Sequence, residues 1–285
     1  MPELPEVETI VRTLRPHVCH RSITSAHVLR TSSVHPLSLP LECLEGCRIA
    51  DVVRRGKILK FVLDVSDAPK QSLCHGDGLY MLVHLRMTGR LLVRSRDTVP
   101  GQYVRCLFVL HGPEGATQLF FEDVRAFGQV FVCTSDILAQ WSFWRELGPE
   151  PLQVSGEDFA ARLMKKNAAL KAVLLDQKFL AGVGNIYADE SLFAARLNPR
   201  RKASSLTQEH SVRLLHCLRD VLRSAIKHRG SSIRDYCDAN GNVGAFQNTF
   251  YVYGRAGQPC RCCGHTLQKL RVAGRSTVYC AVCQK

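Results

Sequence analysis

The apolar positions of this chain fall first at helical spacing, then in short β-rich runs, then at helical spacing again. Val7, Ile10, Val11, Leu14 and Val18 recur at intervals of three and four, which predicts an amphipathic helix over about Pro5–His17. Pro5 suits a first helical turn, where its missing N–H costs nothing, and Glu6 and Glu8 there meet the positive end of the helix dipole. From Ile23 to about Val132 come the runs Ile49–Val53, Ile58–Leu63, Tyr80–Leu85, Leu91–Val93, Val104–Leu110 and Gln118–Phe121, separated by glycine, proline and polar clusters. They predict an antiparallel sandwich or barrel, with surface loops at Ser66–Gly78 and Ser95–Gln102.

The β pattern stops around Cys133–Ser155, where Gly148-Pro149-Glu150-Pro151 reads as a rigid linker. Ser155 with Asp158 offers a variant of the capping box. Helices are expected over Ala168–Asp176, Asn185–Ala195 and Gln208–His228. Thr207 caps the last of these, Leu214, Leu215, Leu218, Val221, Leu222 and Ile226 form its buried stripe, and Gly230 ends it. Near the C-terminus Leu267, Leu270 and Val272, then Gly274, then Thr277, Val278 and Tyr279 read as a β-hairpin.

Composition adds a class and a partner. With 46% hydrophobic and 22% charged residues in 285, the chain is an ordinary globular protein with room for two domains and a small extra module. Its formal charge of +13 favours a polyanionic partner, a weak signal by itself. No apolar run reaches the roughly 18 residues of a membrane span. The start, Met1-Pro2-Glu3-Leu4-Pro5-Glu6, is acidic and proline-broken, unlike a signal peptide, so the protein is expected to stay inside the cell.

Of the 13 cysteines, nine follow no spacing rule and are expected to act as small buried hydrophobes in a reducing compartment. The other four form Cys260-x2-Cys263 and, sixteen residues on, Cys280-x2-Cys283, the spacing of a tetrahedral four-thiolate zinc site. Cys262 forms a doublet with Cys263 and could replace it with altered spacing. Four thiolates leave no open position for water, so the one expected zinc ion is structural, supplying free energy that so short a module cannot gain from apolar burial. Arg275, beside Gly274, then stands on a rigid arm, either as a solvated turn residue or as a cation for a phosphate or groove.

Gly182-Val183-Gly184-Asn185 opens a helix, where small residues admit a phosphate and free N–H groups face it. Tyr187 stands where a dinucleotide fingerprint needs its third glycine, and no βαβ unit surrounds it, so a nucleotide cofactor is a poor reading.

The runs PELPEVETI (2–10), GVGNIYADESLFAARLNP (182–199) and YGRAGQPC (253–260), with the paired cysteines, closely resemble the formamidopyrimidine-DNA glycosylase family. The resemblance implies an α+β multidomain fold: an N-terminal helix and antiparallel β-sandwich (2–134), a linker (135–154), a helix–two-turns–helix DNA-binding domain (155–250) and a C-terminal zinc hairpin (251–285). It implies a monomeric base-excision-repair enzyme that removes oxidised purines, such as 8-oxoguanine and formamidopyrimidines, from double-stranded DNA and cleaves abasic sites. Such an enzyme works in the cytoplasm, or at the nucleoid in a bacterium. An endonuclease VIII-like relative preferring oxidised pyrimidines is the alternative within enzymes, and a damage-binding module without chemistry the alternative outside them.

By the same resemblance Met1 is removed and the secondary amine of Pro2 attacks C1′ of the damaged nucleoside. Glu3 assists ring opening and proton transfer, Glu6 orients the amine, and Lys57, Lys171, Asn185 and Arg275 face phosphates, Arg275 with a part in δ-elimination. Met87, Arg125 and Phe127 fill the void left by the extruded nucleotide, and Asp235–Gln247 closes over it as a flexible lid. The family's Asp-Pro-Arg-Arg-Phe-Gly segment stands here as Asp123-Val124-Arg125-Ala126-Phe127-Gly128. Ala126 thus lacks an arginine that Arg86 is expected to replace in part.

Overall fold

The computed structural model describes residues 1–65, 78–233 and 236–285. The expected Ser66–Gly78 loop, Gly78 apart, lies outside them, as do Cys74 and Asp235. Two compact units divide the chain. The first comprises Met1–Pro2, Glu6–Arg145 and Ser231–Gly244, and the second Glu3–Pro5, Glu146–Gly230 and Ala245–Lys285. No helix is long and apolar enough to cross a membrane among the described residues.

Helix α1 (Leu4–Val18) presents the expected stripe, Val7 to Val18, to the core of the first unit. Eight antiparallel strands follow: β1 (Ser22–Val28), β2 (Arg48–Arg55), β3 (Ile58–Asp64), β4 (Leu79–His84), β5 (Gly89–Ser95), β6 (Val104–Gly112), β7 (Gly115–Asp123) and β8 (Gln129–Thr134). Their order is β5-β7-β6-β1-β2-β3-β4-β8, but β1 meets β2 only at Ser22↔Arg48. The ribbon is therefore two four-stranded sheets hinged at one pair. Phe108 and Phe121 of one sheet share a buried cluster with Phe61, Met81 and Val132 of the other, which makes the unit a sandwich.

β1 escaped the sequence pattern because a bulge between Ile23 and Ser25 turns Ile23 and Ala26, three residues apart, both into the core. Beyond β8, Thr134 caps the short helix α2 (Ser135–Gln140), and α3 (Ser142–Arg145) follows.

The second unit holds α4 (Gly156–Met164), α5 (Leu170–Leu175), α6 (Asn185–Ala194) and α7 (Gln208–Lys227). The Ser155 and Thr207 hydroxyls accept the N–H groups of Asp158 and His210 at 3.0 and 3.2 Å, so both expected caps are present. Residues 186–193 of α6 are all buried, leaving that helix no solvent face. Gly148–Pro151 is packed instead of bridging freely: Gly148 donates to the Gln177 carbonyl (2.8 Å), and Ala181 donates to that of Pro149 (3.1 Å). A Cβ on Gly148 would meet the Phe179 backbone at 2.5 Å.

Strands β9 (Gln268–Val272) and β10 (Arg275–Tyr279) close the chain as a hairpin. Its two turn residues, Ala273 and Gly274, have φ of 49° and 72°, the left-handed pair whose twist suits a tight hairpin. Phe193, Val252, Leu267 and Val278 form the small core beneath it.

Candidate catalytic site and nucleic-acid interface

Pro2 is buried while Met1 remains exposed. The carboxylate of Glu3, the next residue, accepts the N–H groups of Ile186 (3.0 Å) and Tyr187 (3.4 Å) at the N-terminus of α6. The glycines there are shaped around it. A Cβ on Gly184 would lie 2.3 Å from Glu3 Cδ, and Gly182, at φ 93°, donates its N–H to Gln177 Oε1 (2.9 Å) while its carbonyl accepts Leu4 N–H (3.0 Å). The expectation that these N–H groups stand free for a phosphate is therefore corrected, since the chain's own carboxylate takes two of them.

Asn185 is likewise turned inward. Its Nδ2 donates to the Ser276 carbonyl (3.1 Å), and its buried Oδ1 has no partner among the described residues.

Lys171 requires the larger correction. It is fully buried, and its Nζ lies 2.7 Å from Asp189 Oδ1 while donating to the Ser276 carbonyl (2.9 Å) and Thr277 Oγ1 (2.8 Å). One ion pair and two hydrogen bonds surround the buried ammonium, so neither a phosphate-facing lysine nor a solvated one describes it. Burial lowers the Lys171 pKa and pushes that of Asp189 up to about 7, each opposed by the other's charge. The pair clamps α5 and α6 to β10, next to Arg275, which is exposed at the start of that strand.

Glu190 was not foreseen either. Its buried carboxylate accepts the N–H groups of Tyr251, Val252 and Tyr253 at 2.7–3.0 Å, fixing the backbone that leads into the zinc module. Two acids within a helix that has no exposed face were the signal for both partners.

In the first unit Glu6 is buried, and its carboxylate accepts the Ser231 N–H at 2.8 Å. The Tyr236 hydroxyl donates to the Glu6 carbonyl (3.4 Å); burial, then the Glu6 charge, drives the Tyr236 pKa upward. The expected lid is thus partly tied down. Ala239 is buried, donating to Thr13 Oγ1 (3.2 Å) and accepting from Val93 N–H (3.1 Å), whereas residues 240–243 are exposed. Lys57 follows Gly56 (φ 57°) in the two-residue turn joining β2 to β3 and is buried, so it is no solvated edge guard.

Met87, Arg125 and Phe127 come together. Asp123, fully buried, accepts the Thr88 hydroxyl, the Arg125 N–H (3.1 Å) and the Gly128 N–H (2.6 Å), and Thr88 Oγ1 also accepts the Arg125 N–H (3.2 Å). One carboxylate so locks the β4–β5 and β7–β8 loops side by side. Met87 and Phe127 stand 40% and 54% exposed, with the Arg125 guanidinium 4.8 Å over the Phe127 ring. Apolar side chains held out on a rigid loop pair are suited to wedge between bases. Ala126 and Arg86 both adopt left-handed φ, 54° and 52°.

The four expected cysteines converge, with all sulfurs within 4.8 Å of one another and Cys263–Cys280 and Cys260–Cys283 at 3.5 and 3.9 Å. A tetrahedron with zinc–sulfur bonds of about 2.3 Å has edges of about 3.8 Å, so the donor set fits one structural zinc ion. Cys262 is exposed and outside the group, which resolves the doublet. Of the nine cysteines expected to be buried, Cys43, Cys47, Cys106 and Cys133 are, the last two with thiol pKa pushed up to about 12 by burial, whereas Cys19, Cys217 and Cys237 are only half-buried and Cys262 is exposed, which corrects the expectation for those four.

A sandwich with two loops locked side by side, a helical unit and a four-thiolate hairpin together define a class of DNA-repair glycosylase. Residues 1–130 match the formamidopyrimidine-DNA glycosylase N-terminal domain, 147–237 its H2TH domain, and 257–285 a zinc finger found in FPG and IleRS. The chain is 40% identical to formamidopyrimidine-DNA glycosylase of Nitratidesulfovibrio vulgaris and 41% to that of Desulfitobacterium hafniense, covering 100% of each and of itself.

Among solved structures, MutM (Fpg) of Thermus thermophilus superposes with a TM-score of 0.84 at 39% identity, covering 99% of this chain and 98% of that one. Lactococcus lactis Fpg bound to DNA containing N7-benzyl-Fapy-dG gives 0.86 at 33% identity over 100% of both chains. Its complex with abasic-site DNA gives 0.84 at 32% over 99% of both. The chain belongs to the formamidopyrimidine-DNA glycosylase family.

Proposed function

We propose that this protein excises oxidised purines, formamidopyrimidines and 8-oxoguanine, from duplex DNA and then cleaves the abasic strand, with Pro2 as nucleophile. The observation that carries the reading is the seating of Glu3: the residue next to the attacking amine has its carboxylate fixed by two backbone N–H groups in a cradle that only glycine at 184 permits.

Removal of Met1 frees a secondary amine, which titrates nearer neutrality than a lysine and is nucleophilic at physiological pH. Its nitrogen lone pair forms a bond to C1′ as the base leaves with the glycosidic electron pair. The departing base takes a proton from solvent; the N–H proton of Pro2 passes through Glu3 to the ring oxygen, which leaves C1′ with its bonding pair as the nitrogen lone pair closes the iminium, and the iminium acidifies C2′–H. Loss of that proton expels the 3′ phosphate by β-elimination, and a second proton loss expels the 5′ phosphate by δ-elimination. Lys57 and Arg275 serve the flanking phosphates, Asn185 and Lys171 hold the strand that bears Arg275, and Glu6 sets the start of α1. Met87, Arg125 and Phe127 occupy the vacated stack, Arg125 against the orphaned cytosine.

On this reading residues 2–134 carry the nucleophile and wedges, 155–250 bind the duplex and 251–285 supply the hairpin, with 135–154 between them. The enzyme acts as a monomer in the cytoplasm, where its thiols stay reduced. Borohydride trapping on duplex DNA with 8-oxoguanine or formamidopyrimidine, after mass spectrometry has verified loss of Met1, should give a covalent adduct. No adduct from protein with a free Pro2 overturns the mechanism.

A further inference from the structure

The outer face of the β2-β3-β4-β8 sheet carries a slot that none of the roles above uses. Its floor is cross-strand: Ile58, His84 and Gln129 lie in one row, Leu82 and Phe131 in the next. The segment Trp141-Ser142-Phe143 and the His35 ring wall it, Trp141 packing edge-on to Phe131 (5.1 Å between centroids) and to His35 (5.3 Å). Only about 20 Å³ of the slot is enclosed, room for a water, so a planar ring enters only when the Trp141–Phe143 wall swings outward.

One end of the slot is polar. Arg86 borders it, and its backbone N–H donates to His84 Nδ1 (3.0 Å), so the imidazole proton sits on Nε2. Burial, with Arg86 and Lys57 nearby, pushes the His84 pKa down to about 3, keeping that ring neutral. Among the described residues the Gln129 amide has no hydrogen-bonding partner. Aromatic walls, an amide, a neutral imidazole N–H and a guanidinium are the set that stacks on a heteroaromatic ring and reads its edge. Both flanks join the DNA-facing parts, for Arg86 precedes Met87, Gln129 follows Gly128 and Ile58 follows Lys57.

We infer that this slot binds a single unstacked nucleobase, one belonging to a DNA strand whose phosphates meet Lys57 and Arg86. Charge complementarity favours a strand over a neutral small molecule. Trp141 and Phe143 are only half-buried, their side chains held by ring contacts, so the wall they form can swing outward. The slot takes no part in covalent chemistry, and its test is independent of borohydride trapping.

The chain's only tryptophans, Trp141 and Trp144, lie in this segment, so their emission reports occupancy. The zinc-loaded protein is titrated with a lesion-free blunt duplex, with the same duplex bearing a one-nucleotide 2-aminopurine overhang, and with free guanosine. Saturable quenching by the overhang duplex and not by the blunt one is expected. Trp141→Leu should weaken overhang binding about 5- to 150-fold, as loss of one base stack implies, and leave blunt-duplex affinity and lesion cutting intact. Quenching by guanosine with none by the overhang duplex overturns the assignment to a DNA strand. Should Trp141→Leu fold poorly, Gln129→Leu on the outward face of β8 is expected to bind the same probe about 2- to 12-fold more weakly. No saturable quenching by either probe, or wild-type affinity in the folded variants, overturns the inference.

Discussion

Replacing Gly184 with alanine isolates the seating of Glu3 from every other role of the α6 N-terminus. Gly184 has φ of −134°, which alanine adopts freely, so the new methyl brings no backbone strain. It would sit 2.3 Å from Glu3 Cδ and 2.5 Å from Oε1, whereas relaxed carbon contacts begin at about 3.5 Å. The carboxylate must therefore retreat by about 1.2 Å, which takes the hydrogen bonds from Ile186 and Tyr187, now 3.0 and 3.4 Å, beyond bonding range. Overpacking of this kind costs about 1–3 kcal/mol of stability. A catalytic group displaced by about 1 Å loses on the order of 100-fold in rate.

Single-turnover excision from a formamidopyrimidine duplex should show that loss with duplex affinity little changed. A double mutant with Glu3→Gln should lose scarcely more than Glu3→Gln alone, because both changes act on one carboxylate. A Gly184→Ala enzyme at wild-type speed, or effects that simply multiply, would refute the assignment.

Lys171→Met should destabilise the protein by about 3–5 kcal/mol in urea melts, because it strands Asp189 in the interior. It should leave the salt slope of DNA affinity unchanged, where loss of a phosphate contact would lower it by about 0.9. His84 titrates at about 3 when folded and about 6.5 when unfolded. The folded state thus binds fewer protons between those values, and the stability present above pH 6.5 drains away as pH falls towards 3. His84→Gln should flatten that decline in urea midpoints compared at pH 7.5 and 5. Cys262→Ala should retain one zinc per chain by metal analysis, while Cys263→Ala should lose it together with DNA binding.

Local periodicity was enough for the elements whose partners are near in sequence. The α1 stripe, the Thr207 cap of α7 and the two thiolate pairs each declare themselves within a few turns of chain. What stayed hidden depends on distant pairing. Lys171 reads as a helix lysine until Asp189, Ser276 and Thr277 are brought around it, and the bulge in β1 breaks the alternation by which strands are recognised. Gly184 was legible as a place for close approach. Its occupant was not, because nothing in the local sequence distinguishes a phosphate oxygen from the carboxylate of Glu3.

The three amide groups gathered by Glu190 bear on how the C-terminal module matures. They fasten its entry at residues 251–253 through protein contacts alone, and Lys171 grips its return strand in the same way. Loading with metal can accordingly come last in biogenesis, onto a scaffold already moored at both ends, and a chelator should leave a tethered, refillable loop in place of a chain unravelled from its terminus.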